Sequence, residues 1–123
     1  MDMPTDISIS VEHGVTRVLY RGKVRIEDTT QMLRNVGQIA AGMPKPMLLF
    51  DIREADYRDY YAGTLQHAEE GPSLGIERSF RIAFLGAAES PMLRFIENAT
   101  VNRGYLTKVF TDEAEALSWL HAI

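Results

Sequence analysis

The sequence predicts an α/β domain: a mixed, mostly parallel sheet of about five strands with about four helices, in the order ββαβαβαβα. Three observations carry this. The chain opens on strict apolar/polar alternation, it holds two continuous apolar runs too short for helices, and stretches with apolar residues at i, i+3 and i+4 lie between and after them. Strands alternating with helices imply parallel pairing through right-handed crossovers, and the opening hairpin adds one antiparallel strand.

The elements follow in order. Ile7, Ile9 and Val11 alternate with Ser8 and Ser10, the pattern of a strand with one buried face. Glu12-His13-Gly14 is a turn in which Gly14 can take positive φ. Thr16–Gly22 is the second strand, and so short a connection makes the pair antiparallel. From Ile26 to Ala41 the period changes. Leu33, Val36, Gly37 and Ala40 form a helical stripe, with Gly42 as the C-cap and Pro44 and Pro46 barring continuation. Pro46–Ile52 is an apolar run fit for a strand covered on both faces, with Asp51 at its carboxyl end.

A second helix is predicted over Arg58–Glu70, with Tyr57, Tyr61, Leu65 and Ala68 inward and Gly71-Pro72 as its stop. Phe80–Gly86 is another apolar strand. Ser90-Pro91 places an N-cap before a proline at the first helical position, and Met92, Phe95, Ile96 and Ala99 form the stripe behind it. Lys108–Phe110 is a short strand. Asp112–Glu115 resembles a capping box opening a last helix, with Ala116, Leu117, Leu120 and Ile123 inward. The predicted core is Leu48, Leu49, Phe50, Ile82, Phe84, Val109, Leu117 and Leu120.

Composition excludes several function classes. The 123 residues read as one domain spanning 1–123, with 46% apolar and 24% charged residues, an ordinary globular balance. With no cysteine there are no disulfides, thiolate metal sites or thiol catalysis. Thirteen basic residues against seventeen acidic ones, a net charge of −4, disfavour nucleic acid as a partner. No apolar run approaches the roughly 20 residues of a membrane span. The acidic N-terminus has no apolar core to act as a signal peptide, so the expected location is the cytoplasm.

Catalytic and cofactor motifs are weak. His13, His67 and His121 have no metal-ligand spacing and read as surface residues, so no metal and no cofactor are expected. Ser90, His67 and Asp51 make a triad on paper, but no G-x-S-x-G turn supports it. Gly86–Ser90 lacks the second glycine and the lysine of a phosphate loop. Arg17, Arg21, Lys23 and Arg25 share one strand face and offer a basic stripe to phosphate or an anionic lipid head group, although solvated edge-strand charges serve equally to prevent aggregation. Trp119 reads as a packing residue.

The informative segment follows the central strand. Asp51, Arg53, Glu54, Asp56, Arg58 and Asp59 crowd the region where open α/β sheets bind ligands. One reading makes them the polar rim of a cleft. The commoner one is a solvated loop with an Asp capping the next helix. An enzyme would use carboxyls of Asp51–Asp59 for acid–base chemistry, which requires them to converge in a pocket.

Several stretches resemble a known family. Tyr20-Arg21-Gly22-Lys23-Val24, Leu48–Arg53, Arg81-Ile82-Ala83 and above all Val109–Leu120, with its closing Trp119-Leu120, resemble the SpoIIAA-like domains of STAS/SEC14 type. The resemblance spans nearly the whole chain and implies mainly a fold. Such domains that antagonise anti-sigma factors carry a phosphorylatable serine after the central strand. The matching stretch here is Asp59-Tyr60-Tyr61-Ala62, and no serine lies between Asp51 and Pro72.

The expectation is therefore a non-catalytic binding module without that serine switch, taking a protein partner or a small, partly apolar or anionic, lipid-like ligand. Its candidate contact residues are Asp51, Arg53, Tyr57, Arg58, Tyr60 and Tyr61. A homodimer is expected, since symmetric dimers are the commonest oligomer. A small enzyme using the acidic loop, or a purely structural homo-oligomer, are the alternatives.

Overall fold

The structure, a computed structural model, describes residues 4–122. Its elements are β1 (Asp6–Glu12), β2 (Val15–Lys23), α1 (Ile26–Ala40), β3 (Met47–Asp56), α2 (Tyr61–Glu70), a 3₁₀ turn (Gly71–Leu74), β4 (Arg81–Leu85), α3 (Pro91–Val101), β5 (Leu106–Phe110) and α4 (Glu113–His121). The predicted order is observed. The five strands lie side by side in chain order, β1 antiparallel to β2 and the rest parallel. The hairpin turn holds His13 at φ 52° and Gly14 at φ 78°, the two positive values a two-residue type I′ connection needs.

That sequential order decides the layers. Each crossover from β2 to β5 steps in the same direction, so crossovers of one hand place their helices on one face. α1 and α3 accordingly share a large hydrophobic cluster with Val18, Tyr20, Leu48, Phe50, Ile52 and Ile82 of the sheet. α4 has no further strand to reach and folds onto the opposite face, where Ala116 and Leu120 close a smaller cluster with Val15, Leu49, Ala83, Leu85 and Phe110. Both predicted N-caps form: Ser90 Oγ accepts from Leu93 N–H at 3.1 Å, and Asp112 Oδ1 from Glu115 N–H at 2.9 Å.

The structure corrects several expectations. β3 runs on to Asp56, because its polar half keeps pairing with β2 as far as Lys23; Asp51 therefore sits mid-strand rather than at the strand's end. α2 consequently starts at Tyr61, not Arg58, and Tyr57 lies in the turn before it. The inward face of α2 is Gly63, Thr64 and Ala68, while Tyr61 and Leu65 face outward. Neither Asp51 nor Asp59 caps this helix, whose N-cap Tyr60 makes no side-chain cap bond. Ala41, not Gly42, caps α1. Val11, on the edge strand β1, is exposed. Phe84 and Leu117 are only partly buried, as is Trp119, which packs on Phe110 beneath the Arg81 guanidinium. Arg25 falls outside β2, so the four-residue basic stripe does not form. The place expected for Ile123 lies outside the described residues.

Candidate functional site: a cavity on one face of the sheet and a charged cluster on the other

The fully buried residues of α2 are small, Gly63, Thr64 and Ala68, with His67 half-buried beside them, and that leaves a gap. Between the sheet and α1–α3 lies a cavity of about 130 Å³. Phe50, Ile82 and Phe84 form its floor, Met32 and Leu33 of α1 one wall, and Ala68 and Ile96 the opposite side. The lining is almost wholly apolar. Phe50 and Phe84 stack with centroids 4.9 Å apart.

Most of its polar side chains are bonded to one another or to backbone carbonyls. Tyr60 precedes α2 and lays its ring across the helix backbone; a Cβ on Gly63 would sit 2.3 Å from the ring, so only glycine leaves the space. The ring thereby reaches His67, with Tyr60 Oη 2.7 Å from His67 Nε2. On the imidazole's other side His67 Nδ1 lies 2.9 Å from Glu70 Oε1. Burial pushes the His67 pKa down, against the opposing pull of Glu70. Burial likewise pushes the Tyr60 phenol up to about 12, so it stays protonated. Tyr20 Oη and Thr29 Oγ1 bond at 3.1 Å, and the Tyr105 hydroxyl donates to the Ala68 carbonyl at 2.9 Å.

On the α4 face, a bulge in β3 places two residues opposite Tyr20 of β2. Asp51, with its side chain 2% exposed, accepts from the Arg53 guanidinium at 2.9 and 2.7 Å, from Arg53 N–H at 3.2 Å and from Arg17 at 3.2 Å. Glu113, at the start of α4, pairs with both arginines. Burial raises the pKa of Asp51, but the Arg53 bonds and the charges around it outweigh that and leave it below the ordinary carboxylate value.

The six sequence-predicted residues thus divide. Asp51 and Arg53 meet in an ion cluster whose other members, Arg17 and Glu113, lie far off in sequence. Tyr57 and Tyr60 reach the cavity. Tyr57 also joins Arg53, Arg58 and Tyr61 along a groove of about 380 Å³, bordered by Ala87–Met92. Tyr61 packs edge-on against Phe95, and Arg58 pairs with Asp56. The carboxyls of the acidic loop do not converge in a pocket: Asp51 is buried under two arginines, while Glu54, Asp56 and Asp59 stand exposed. His67 is no surface residue, since the cavity layer covers it. Its link to Glu70 was visible as i, i+3 spacing on a helix. The reach from Tyr60 depends on Gly63, and nothing in the pattern marked it. Among the described residues no three His, Asp or Glu side chains are grouped to hold a metal ion, and no helix is long and apolar enough to cross a membrane.

This architecture is the SpoIIAA-like fold. Among the solved structures that share it are these two. One is an uncharacterised protein of the DUF3478 family from Shewanella loihica, with a SpoIIAA-like fold, 22% identical, with a TM-score of 0.58 over 94% of this chain and 93% of that one. The other is an anti-sigma factor antagonist from Mycobacterium paratuberculosis, 17% identical, with a TM-score of 0.63 over 99% of this chain and all of the other. No family model matches the chain, and no curated protein does.

Proposed function

We propose that this protein is a non-catalytic binding module that takes a small apolar ligand between its sheet and α1–α3. The cavity carries the reading. Its lining is almost wholly apolar and the space is half open to solvent, so an apolar ligand of matching size removes that surface from water. Toluene tests this: at ten times its dissociation constant a bound ligand adds about 1.4 kcal/mol, or roughly 5 °C in Tm. Ala68→Leu, which fills the cavity from α2, is expected to abolish the toluene shift while preserving a cooperative transition. An unchanged Tm at saturating toluene removes the proposal.

A second reading rests on a separate observation. Tyr61 and Leu65 are 43% and 38% exposed on α2, and Tyr61, Tyr57, Arg53 and Arg58 border the 380 Å³ groove. An apolar strip rimmed by arginines suits a protein partner, including a second copy of the chain. Light scattering at tens of micromolar is expected to give a dimer mass that Tyr61→Ala with Leu65→Ser reduces to the monomer. A monomer mass for the unmodified protein ends the dimer reading.

A further inference from the structure

The direction of one proton chain defines what the cavity prefers. The Glu70 carboxylate can only accept, so His67 Nδ1 carries the hydrogen between them. A neutral imidazole protonated at Nδ1 has only a lone pair at Nε2. The Tyr60 hydroxyl, 2.7 Å away, must then donate to it. Its proton is committed, so its oxygen can only accept, and a ligand hydroxyl competes there with the neighbouring Thr29 hydroxyl. Size is the second constraint. An apolar cavity of roughly 150 Å³ holds one benzene ring, and this one, near 130 Å³, is walled by the stacked Phe50–Phe84 pair. Aromatic walls favour ring edges and faces over flexible chains.

We propose that the cavity is a site for a single-ring aromatic molecule bearing one hydrogen-bond donor, a phenol-type ligand whose hydroxyl donates to Tyr60 Oη. An acceptor-only ring such as an aromatic aldehyde, or a carboxylate, meets oxygen lone pairs against its own and is rejected. Discrimination of this kind is strong because the mismatched pair is desolvated with no partner. This rests on the cavity reading above, and the two fail separately.

The test titrates the full chain with phenol, benzaldehyde and toluene, followed by amide chemical shifts. The expected order is phenol tighter than toluene by about fivefold or more, with benzaldehyde weaker than toluene. Tyr60→Phe is expected to bring phenol and toluene within twofold of each other while toluene affinity holds. His67→Leu removes the acceptor for the Tyr60 proton, so the hydroxyl turns into the cavity as a donor and benzaldehyde gains on toluene. Toluene binding with no phenol preference, or a phenol preference that survives Tyr60→Phe, overturns the donor inference and leaves the cavity reading standing. If toluene itself does not bind, both fall.

Discussion

Asp51 and His67 show how the same physical term, burial, acts with opposite results according to partners. Asp51 is almost inaccessible, yet it stays ionised because two guanidiniums surround it. Truncating it strands charge in a part-buried setting, so Asp51→Ala is expected to cost about 2–4 kcal/mol by urea denaturation; Glu113 remains to both arginines and keeps the loss below the upper range for buried pairs. Glu113 is 39% exposed, and Glu113→Ala should cost less than about 1 kcal/mol. Equal losses at the two sites would contradict this assignment. The sign with pH also follows. The folded-state pKa of Asp51 is depressed, so its contribution is present above the ordinary value of 3.8 and lost as pH falls through the folded value.

His67 runs the other way. Its folded pKa is lowered by burial, so the unfolded chain takes up the proton first. Stability should therefore fall as pH drops through the ordinary histidine value of 6.5 and level off only below the folded value. Hydrogen bonds to backbone carbonyls raise the pKa of exposed His121, which opposes this trend. The diagnostic is accordingly the difference between the protein and His67→Gln: the urea midpoint of the variant is expected to fall less between pH 7.5 and 5.5. Parallel slopes would mean that His67 is not held neutral.

Among the elements, α4 and α2 contrast. α4 alone covers the second face of the sheet, and it does so with Ala116 and Leu120 fully buried and Leu117 and Trp119 half-buried. Leu120→Ala is expected to cost about 2–5 kcal/mol, since no neighbouring helix can collapse into the space. A loss under 1 kcal/mol would show that this face is not packed as described. The starts of α3 and α4 were legible in the sequence because N-capping is a local event, settled by Ser90 and Asp112 within three residues of the amides they bind. The start of α2 was not. It depends on how far β3 pairs with β2, an interaction across more than thirty residues of chain.

Over the whole molecule, the weak point and the candidate site coincide. α1 and α3 bring Met32, Leu33, Val36, Met92, Leu93 and Ile96 to the core, whereas α2 brings Gly63, Thr64 and Ala68. Few buried apolar contacts mean a low local opening free energy. The amides of α2 are expected to exchange with solvent faster than those of α1 and α3, and toluene should slow α2 selectively. Exchange that is uniform across the three helices, or slowed everywhere alike, would separate the cavity from the mobility of α2.

The sequence by itself determined the element order, the hairpin, the N-caps of α3 and α4 and most of the core, because periodicity, turn residues and capping operate within a few residues; the SpoIIAA-like class was legible only as a resemblance. Only the tertiary structure decided the site. A cavity is volume that no side chain fills, and it emerges from the small residues of α2 facing large ones contributed by distant strands. The ion cluster likewise needed the β2–β3 pairing and the placement of α4 to bring Asp51 and Arg53 to Arg17 and Glu113. The neutral state of His67 follows from burial that no local pattern encodes; the same histidine on an exposed helix would be an ordinary surface residue.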